Sequence, residues 1–369
     1  MTQTTRALVL RSHDEPLKIE TLNVGAPGEK EVLLEMHATG ICHTDLTCMK
    51  SLPPPFVLGH EGAGVILSVG NGLTDKFSPG DKVLLSFNFC GSCGTCRTAH
   101  PAYCKNFYAS NISGRRPDGS FIYTTAEAEN VSGSFFGQSS FASHAIVQEN
   151  CLVKVPADTD LSLLAPLGCG VQTGAGCVIN TLQVKENHSI AIFGAGAVGL
   201  SALIAAKNIG ASPIIAIDLV QSRLELAKEL GATHVLDGGS KDIVAEIRKL
   251  TAESSGVQYA IDATGVVPVI ENMIEALGAL GKAATVGVTG WGKKVQVDCT
   301  TLMSLGKSYV GCTEGDSVPG EFVPYLVGEV AAGRFPLQKL VTKYAVEDYQ
   351  TAIDDMKSGK TLKPVLVWK

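Results

Sequence analysis

Basic residues are not in excess in this sequence. Its 369 residues include 30 Lys and Arg against 36 Asp and Glu, which gives a formal net charge of −6. This balance is too acidic for a protein that binds nucleic-acid phosphates through a general basic surface, and too even for a disordered acidic tail. We therefore expect no nucleic-acid partner. Internal repeats and low-complexity linkers are also missing, so domain boundaries have to be inferred from changes in the hydrophobic pattern.

A continuous membrane-spanning run is missing as well. One uncharged stretch of 18 residues, 189–206, has nearly the length of a transmembrane helix. Three glycines interrupt it, and its first part has the pattern of a strand, so a buried strand, a turn and a buried helix explain the same apolarity. We expect no contact with a membrane.

Cysteine is too sparse for a disulfide scaffold. The 11 cysteines make up about 3% of the chain, and we see no secretory leader before them. We therefore expect a cytoplasmic protein, in which clustered cysteines bind metal before they form disulfides.

Glycine, by contrast, is abundant. The 40 glycines lie between apolar runs and indicate many tight turns. From residue 6 to 148 the apolar runs are short and resemble strands, as in 7–10, 32–36, 64–69 and 82–85. Short strands with frequent turns predict a barrel-like or sandwich-like β domain.

After about residue 171 strands alternate with amphipathic helices. The strand candidates are 190–193, 214–217, 259–263 and 283–286, and the helix candidates are 197–209 and 221–230, each followed by a glycine, Gly210 and Gly231. This alternation predicts an α/β domain with a parallel sheet covered on both faces. Beyond residue 311 we predict helices at 321–332 and 346–357 and a last strand at 364–368, in a tail that returns to the first domain.

Four cysteines lie within fifteen residues, on a glycine-rich segment: Cys90, Cys93, Cys96 and Cys104. Four thiolates complete a tetrahedral shell around zinc and leave no open position, so such a site is structural. Two disulfides or free thiols are the alternatives, and the short spacings favour zinc.

A second candidate metal site is scattered over three segments. Two thiolates and an imidazole, from Cys42, Cys169 and His60, can hold zinc while the fourth position stays open to water or substrate. Taken alone, each of these residues is more often part of the core. The spacing by itself is therefore weak support for a catalytic metal.

A glycine-rich turn follows the strand at 190–193 and opens a helix. Its glycines are Gly194, Gly196 and Gly199, and Asp218 comes nineteen residues later, at the end of the next strand. The glycines permit a tight turn and close approach of a pyrophosphate, and the acid accepts hydrogen bonds from the adenosine ribose. The alternative is a simple strand-to-helix turn. Asp218 would repel a 2′-phosphate, which favours NAD over NADP, although Arg223 argues in the other direction.

Taken together and in this order, these motifs resemble those of the zinc-dependent medium-chain alcohol dehydrogenases. The segment 134–142, SFFGQSSFA, is further similar to the aryl-alcohol (benzyl-alcohol type) branch. The resemblance implies a GroES-like β-rich catalytic domain, residues 1–170 plus 312–369, and a Rossmann domain with a doubly wound parallel sheet, residues 171–311. It also implies a homo-oligomer, either a dimer or a tetramer.

The resemblance assigns roles around the metal. It implies two zinc ions per chain, one of them catalytic and bound by Cys42, His60 and Cys169. Glu61 matches a carboxylate that approaches this metal when ligands exchange. Asp45 matches an acid that orients the imidazole, as metal-bound histidines generally require.

The resemblance also assigns contacts to NAD. Thr173 and Val198 match positions near the nicotinamide, and Arg223 matches a contact to the adenosine ribose. His43 and Lys363 match contacts to the pyrophosphate. Without the family, Arg223 and Lys363 would be read as solvated surface charges, and His43 as an ordinary loop residue.

The implied reaction is hydride transfer between NAD and a primary, aromatic or allylic alcohol, with the aldehyde as product. Thr44 matches the hydroxyl that takes the alcohol proton. Some relatives carry a histidine where this chain has Thr47, so we expect the proton to leave through water or through His43. Ser86 and Phe87 are candidate walls of the substrate pocket, and the core is the alternative for Phe87.

Two other functions remain open from the sequence. One is a polyol or S-hydroxymethylglutathione dehydrogenase on the same scaffold. The other is a cofactor-binding protein without catalysis, which has no need of an open metal site.

Overall fold

Short strands joined by turns make up the first part of the chain, in a computed structural model that describes residues 3–253 and 255–368. The strands are β1 (Gln3–Leu10), β2 (Lys18–Val24), β3 (Glu31–Gly40), β4 (Phe56–Val57), β5 (Glu61–Val69), β6 (Lys82–Leu85), β7 (Tyr123–Thr124), β8 (Asn130–Val131), β9 (His144–Gln148) and β10 (Leu152–Lys154). Four short helices lie between and after them: α1 (His43–Cys48), α2 (Gly94–Arg97), α3 (Phe107–Asn111) and α4 (Leu161–Leu164).

Strands and helices alternate in the following part. The helices are α5 (Gly170–Gly176), α6 (Ala197–Ile209), α7 (Gln221–Leu230), α8 (Ile243–Leu250), α9 (Val267–Glu275) and α10 (Cys299–Ser304). The strands are β11 (Ile190–Phe193), β12 (Ile214–Asp218), β13 (His234–Asp237), β14 (Val257–Asp262), β15 (Leu277–Thr285) and β16 (Ser308–Gly311). The tail adds α11 (Pro319–Ala331), β17 (Val341–Ala345), α12 (Tyr349–Ser358) and β18 (Lys363–Val367).

The first part and the tail share a sheet. Its strand order is β10-β6-β5-β3-β18-β17, with β9 also paired to β3, and β18 runs antiparallel to β3 with Val365 opposite Gly40. A second sheet has the order β4-β1-β2-β7-β8. Apolar side chains such as Leu34 and Met36 on β3 are fully buried. The predicted strand at 364–368 is thus β18.

The middle part contains one parallel sheet, in the order β13-β12-β11-β14-β15-β16. Helices α6 and α7 end at Gly210 and Gly231, whose φ angles of 85° and 123° close the helices in a conformation that favours glycine. This sheet confirms the predicted α/β class. Strand order reverses beside β11, and ligands of such sheets bind where the order reverses.

The chain packs into two compact units. The first consists of Met1–Cys169, Val318–Ala331 and Pro336–Lys369, and the second of Gly170–Ser317 and Ala332–Phe335. Residues 170, 312–317 and 332–335, which the sequence predicts in the first domain, pack in the second unit. For residues 312–317 the reason is local, because Glu314 accepts a hydrogen bond of 3.0 Å from the Gln172 amide on α5.

Among the described residues no single helix is both long and apolar enough to cross a membrane, although one bent pair of short helices, Leu161–Gly168 with Gly170–Thr181, matches by length and composition alone. The 18-residue stretch at 189–206 is instead divided between β11, a turn and α6. In the second unit Trp291 is fully exposed, and every residue of the edge strand β16 is exposed.

Candidate metal centres and dinucleotide site

Three segments of the first unit meet at one buried cluster. Cys42 immediately precedes α1, His60 and Glu61 lie at the start of β5, and Cys169 ends the first compact segment. One ligand atom from each of these four residues lies within 4.8 Å of the other three. The structure therefore brings together all four residues predicted around the catalytic zinc.

Asp45 fixes the imidazole of this cluster. Its carboxylate is fully buried and accepts hydrogen bonds from His60 Nδ1 at 2.9 Å, from the backbone N–H of Gly59 at 3.1 Å and from that of Cys42 at 2.9 Å. Because Nδ1 donates to Asp45, Nε2 carries the free lone pair in the neutral ring. This Nε2 is buried and has no hydrogen-bond partner in the described part of the chain, an arrangement that fits a metal ligand.

The surroundings of Cys42 favour its thiolate. The neighbouring Cys169 sulfur holds the pKa of Cys42 well below its ordinary value, against the effect of burial and with help from the Lys363 charge. Metals bind cysteine as thiolate, so this environment suits zinc. Two thiolates and one imidazole are a donor set typical of catalytic zinc with an open position.

Lys363 lies at the same cluster. Its ammonium donates to Glu61 Oε1 at 2.8 Å and to the carbonyl of Ile41 at 3.2 Å, and both charged side chains are buried. Burial opposes the charged form of the lysine, but the Glu61 carboxylate raises its pKa above the ordinary value. Lys363 is thus an internal partner of Glu61 in this structure, and its contact to a pyrophosphate stays a prediction.

The first turn of α1 carries the predicted proton-transfer residues. Thr44 is half-buried and His43 is exposed. The hydroxyl of Thr47 donates to the backbone carbonyl of His43 at 3.0 Å. The Thr47 proton is therefore engaged within the helix, which agrees with the expectation that this residue is not the base.

Phenylalanine rings surround His60. The Phe136 ring stacks on the imidazole with centroids 4.6 Å apart, and Phe135 meets it edge-on at 5.6 Å. Phe107 continues the row at 6.1 Å from Phe136 and 6.0 Å from Phe87. Phe87 is thus a core residue of this aromatic row, the alternative given for it above.

The other four predicted ligands form a second cluster. The sulfur atoms of Cys90, Cys93, Cys96 and Cys104 all lie within 4.8 Å of one another. Three of the sulfur pairs are 3.4, 3.9 and 4.0 Å apart, close to the edge of about 3.8 Å that a tetrahedron with Zn–S bonds of about 2.3 Å requires. All four thiols are free, so the disulfide alternative is not formed.

Several hydrogen bonds in this second cluster are directed at sulfur atoms. Backbone N–H groups of Cys90 and Asn106 each donate to Cys104 Sγ at 3.4 Å. The Thr95 hydroxyl, followed by the backbone of Cys96 and Lys105, lowers the pKa of Cys93 to about 5. Donors aimed at sulfur favour the thiolate, the form that binds zinc, although burial raises the pKa of Cys104 and raises that of Cys96 to about 12.

The glycine-rich turn between β11 and α6 lies in the second unit. Gly194 has a φ of 96°, and a Cβ on Gly199 would lie 1.8 Å from the Gly194 carbonyl oxygen. A Cβ on Gly196 would meet nothing within 4 Å, so the protein itself leaves space there. These are the turn, close packing and ligand approach that a dinucleotide fingerprint requires.

Asp218 connects the turn to the next strand. Its carboxylate accepts from the backbone N–H of Ala195 at 2.7 Å and of Val220 at 2.9 Å, and lies 3.8 Å from Arg223 Nη1. The predicted acid and arginine are therefore neighbours beside the glycine turn. Helix α5, which carries Thr173, also packs on α6, which carries Val198, since a Cβ on Gly174 would lie 2.0 Å from the Val198 carbonyl oxygen.

Near the first cluster, Gln138 has no role predicted from the sequence, and Ser86 has a different one. Gln138 is fully buried and bonds to the backbone beside His60, and Ser86, suggested as a pocket wall, is fully buried and bonds to Gly168. The segment 134–142 drew attention only through its resemblance. A polar side chain between buried apolar residues was the signal that could have identified Gln138.

Comparison with known proteins gives consistent matches over the whole chain. Residues 28–157 match the family model described as the alcohol dehydrogenase GroES-like domain, and residues 197–330 match that of the zinc-binding dehydrogenases. Geraniol dehydrogenase of Castellaniella defragrans is 40% identical over 367 residues, which is 98% of this chain and 97% of that protein.

Solved structures agree with these matches. Benzyl alcohol dehydrogenase from Acinetobacter calcoaceticus superposes with a TM-score of 0.95 at 43% identity, over 99% of each chain. An alcohol dehydrogenase zinc-binding domain protein from Burkholderia ambifaria has a TM-score of 0.97 at 45% identity, over 100% of this chain and 99% of the other.

Proposed function

The chain belongs to the zinc-dependent medium-chain alcohol dehydrogenases, as its motifs predict, and on that premise we propose that its substrates are aromatic or allylic primary alcohols and their aldehydes. The predicted fold, a GroES-like domain with a Rossmann domain, and the activity of an NAD-dependent zinc alcohol dehydrogenase are confirmed by these matches. The proposal is supported above all by the aromatic surroundings of His60, where the packed rings of Phe107 and Phe136 make the neighbourhood of the first cluster apolar.

Two relatives support the same substrate class. Their names state geraniol, an allylic alcohol, and benzyl alcohol, an aromatic one. Both alcohols carry their hydroxyl on a carbon next to a π system. We expect an aromatic neighbourhood such as that of Phe107 and Phe136 to favour substrates with such a system.

The residues of the first cluster have distinct roles in the proposed reaction. Zinc bound there supplies a Lewis acid that lowers the pKa of the alcohol hydroxyl, and NAD supplies the hydride acceptor. Cys42, His60 and Cys169 would hold the metal. Asp45 keeps His60 in the tautomer that presents Nε2.

The proton of the alcohol requires an acceptor on the protein. We assign this step to the hydroxyl of Thr44, which passes its own proton onward as it accepts one. Thr47 does not continue the route, because its hydroxyl donates to the His43 carbonyl. The proton then reaches solvent directly or through the exposed imidazole of His43.

The substrate class is tested by comparing kcat/KM with NAD for benzyl alcohol, geraniol, a polyol and S-hydroxymethylglutathione. We expect the first two to be turned over efficiently and the last two poorly. Preference for the polyol or the glutathione adduct would favour the alternative enzyme and contradict the proposal.

The metal assignment is tested by zinc analysis. We expect two zinc ions per chain, from the two clusters, and loss of one ion together with activity in Cys169→Ser. Cys104→Ser is the matched control, since it removes a ligand of the other cluster. An active Cys169→Ser protein with both ions would contradict the assignment, and a wild type with one zinc and no turnover would favour a non-catalytic protein.

We also propose that the protein is a cytoplasmic homo-oligomer, a dimer or a tetramer. Edge strand β16 is exposed at every residue, and Leu280, Trp291 and Met303 of the same unit are exposed as well. An exposed edge strand in a unit that also exposes apolar side chains suits pairing with a second copy. Light scattering should give a multiple of the chain mass, reduced by Val310→Pro, and a monomeric wild type would contradict this.

Recovery of a tagged protein in the cytoplasmic fraction tests its location.

A further inference from the structure

The side chain of one glutamine forms three hydrogen bonds to backbone groups near the first cluster. Gln138 is fully buried. Its Oε1 accepts from the backbone N–H of Gly62 at 3.0 Å, and its Nε2 donates to the carbonyl oxygens of His60 at 2.9 Å and Ser86 at 3.0 Å. The carboxamide thus joins the start of β5, which presents His60, to the chain that follows β6.

Ser86 extends this connection to a second ligand segment. Its hydroxyl donates to the carbonyl of Gly168 at 2.7 Å, immediately before Cys169. A Cβ on Gly168 would lie 1.8 Å from the carbonyl oxygen of Leu85, so the two backbones touch at this point. One chain of buried hydrogen bonds therefore runs from the His60 backbone through Gln138 and Ser86 to the residue beside Cys169.

The segment that carries Gln138 adopts an unusual backbone. Ser134, Phe136 and Ser139 have φ angles of 60°, 51° and 47°, in a region that side chains disfavour, and Gly137 has 67°. Such conformations persist only where the surroundings hold them, and they are frequent beside functional sites.

Several hydrogen bonds hold the segment in place. The Ser139 hydroxyl donates to the carbonyl of Val57 at 2.7 Å and accepts from the backbone N–H of Phe135 at 2.9 Å. The Cys151 thiol donates to the Phe136 carbonyl at 3.3 Å. The constrained backbone delivers two contacts to His60, the Phe136 ring on its imidazole and the Gln138 amide on its carbonyl.

We propose that Gln138 is a positioning residue of the catalytic metal centre, which acts with Ser86 to hold the His60 and Cys169 segments at the separation that the metal requires. The proposal rests on the proposed function, because it takes the first cluster to bind zinc. Metal affinity depends on contacts that hold the ligand residues in place, because ligand segments that move in the metal-free protein must be ordered again when the metal binds.

The test uses the full-length, metal-loaded protein and two variants. Gln138→Leu keeps a similar volume but leaves one N–H and two carbonyl groups without this partner. We expect it to release one of its two zinc ions about tenfold faster to a chelator, and its cobalt-substituted form to show altered absorption bands. Ser86→Ala, a milder change, should shift zinc release and the cobalt spectrum in the same direction. The double variant should release zinc no faster than the two single effects combined predict.

Gln148→Leu is the matched control. Gln148 is also a buried glutamine of the first unit, but its amide donates to Glu31 and not to a ligand segment. We expect this control to lower the thermal midpoint of unfolding while it leaves the cobalt spectrum and zinc release as in the wild type.

The outcomes separate the two proposals. Wild-type spectra and release rates in both Gln138→Leu and Ser86→Ala overturn the positioning role, and so does a Gln148→Leu protein with the same metal defect. If Gln138→Leu does not fold, Ser86→Ala decides alone. A wild type with one zinc per chain overturns the proposed function, and the positioning role with it.

Discussion

A single carboxylate, that of Asp45, organises the first metal cluster. It accepts from the imidazole of one ligand, His60, and from the backbone N–H of another, Cys42. An acid at this position therefore fixes both the tautomer of the His60 ring and the backbone at the start of α1. Its full burial makes every lost hydrogen bond costly, because no water replaces it.

We predict that Asp45→Asn weakens zinc binding at the first cluster about 10-fold to 100-fold. The neutral amide holds the imidazole less firmly and removes the negative charge that increases its basicity. Competition with a chromogenic chelator measures the change. Asp160→Asn is the control, since Asp160 accepts from two backbone N–H groups at the start of α4 but contacts no ligand. Equal affinities of Asp45→Asn and wild type would contradict the prediction.

The ligand types and the acid that orients His60 could be predicted from the resemblance that the sequence carries, but the other partners around the cluster could not. The roles of Cys42, His60 and Cys169 follow from an ordered set of motifs. The contacts of Gln138 and the pairing of Lys363 with Glu61 depend on which segments the fold brings together. Lys363 and Glu61 are 302 positions apart and meet only in the folded chain. No local pattern pairs Lys363 with Glu61, and the apolar residues around Gln138 in the sequence indicate burial without showing which backbone groups it contacts.

At the scale of elements, the turn between β11 and α6 combines two kinds of glycine. Gly199 is required by the protein, because its hydrogen faces the Gly194 carbonyl oxygen where a Cβ would overlap it. Gly196 is not required by the protein, because the space around it is empty and its φ of −78° suits any residue. The open side of Gly196 is therefore available to a ligand.

We predict that the two alanine substitutions separate stability from cofactor binding. Gly196→Ala should keep the wild-type thermal midpoint but weaken NAD binding about tenfold, or about 1.4 kcal/mol, because the methyl group obstructs the pyrophosphate. Gly199→Ala should destabilise the protein by about 1–3 kcal/mol. Calorimetric titration and urea unfolding measure the two effects. Tight NAD binding by Gly196→Ala would contradict the assignment of the turn.

Long, regular elements were predictable, and irregular ones were not. The helices at 197–209 and 221–230 were predicted at the observed bounds, because an apolar pattern and a terminal glycine agree there. Strand β13 has only half-buried and exposed residues, so it lacks the apolar run that marks a buried strand. In β15 Leu280 has a φ of 58°, and only the regular end of this strand, near 283–286, was predicted.

At the scale of the molecule, chemistry is divided between the two compact units. Both cysteine clusters lie in the first unit, and the glycine turn with Asp218 lies in the second. Each unit has its own sheets, and that of the second is built without any predicted metal ligand. We therefore expect the binding of metal and that of the adenosine half of NAD to be separable.

We predict that removal of both metals abolishes turnover but leaves the affinity for ADP-ribose unchanged. ADP-ribose lacks the nicotinamide and depends mainly on the glycine turn and the acid after β12, with His43 and Lys363 as the predicted contacts of its pyrophosphate in the first unit. Calorimetric titration of the chelator-treated protein measures this affinity, with the zinc-loaded protein as the reference. Loss of ADP-ribose binding on metal removal would contradict the division.

The chain contains two tryptophans, one in each unit. Trp291 is already in full contact with water, whereas Trp368, directly after β18, is half-buried and donates its backbone N–H to His37. Unfolding changes the surroundings of Trp368 far more than those of Trp291. A red shift of the intrinsic emission therefore reports on the metal-binding half of the molecule without any added label.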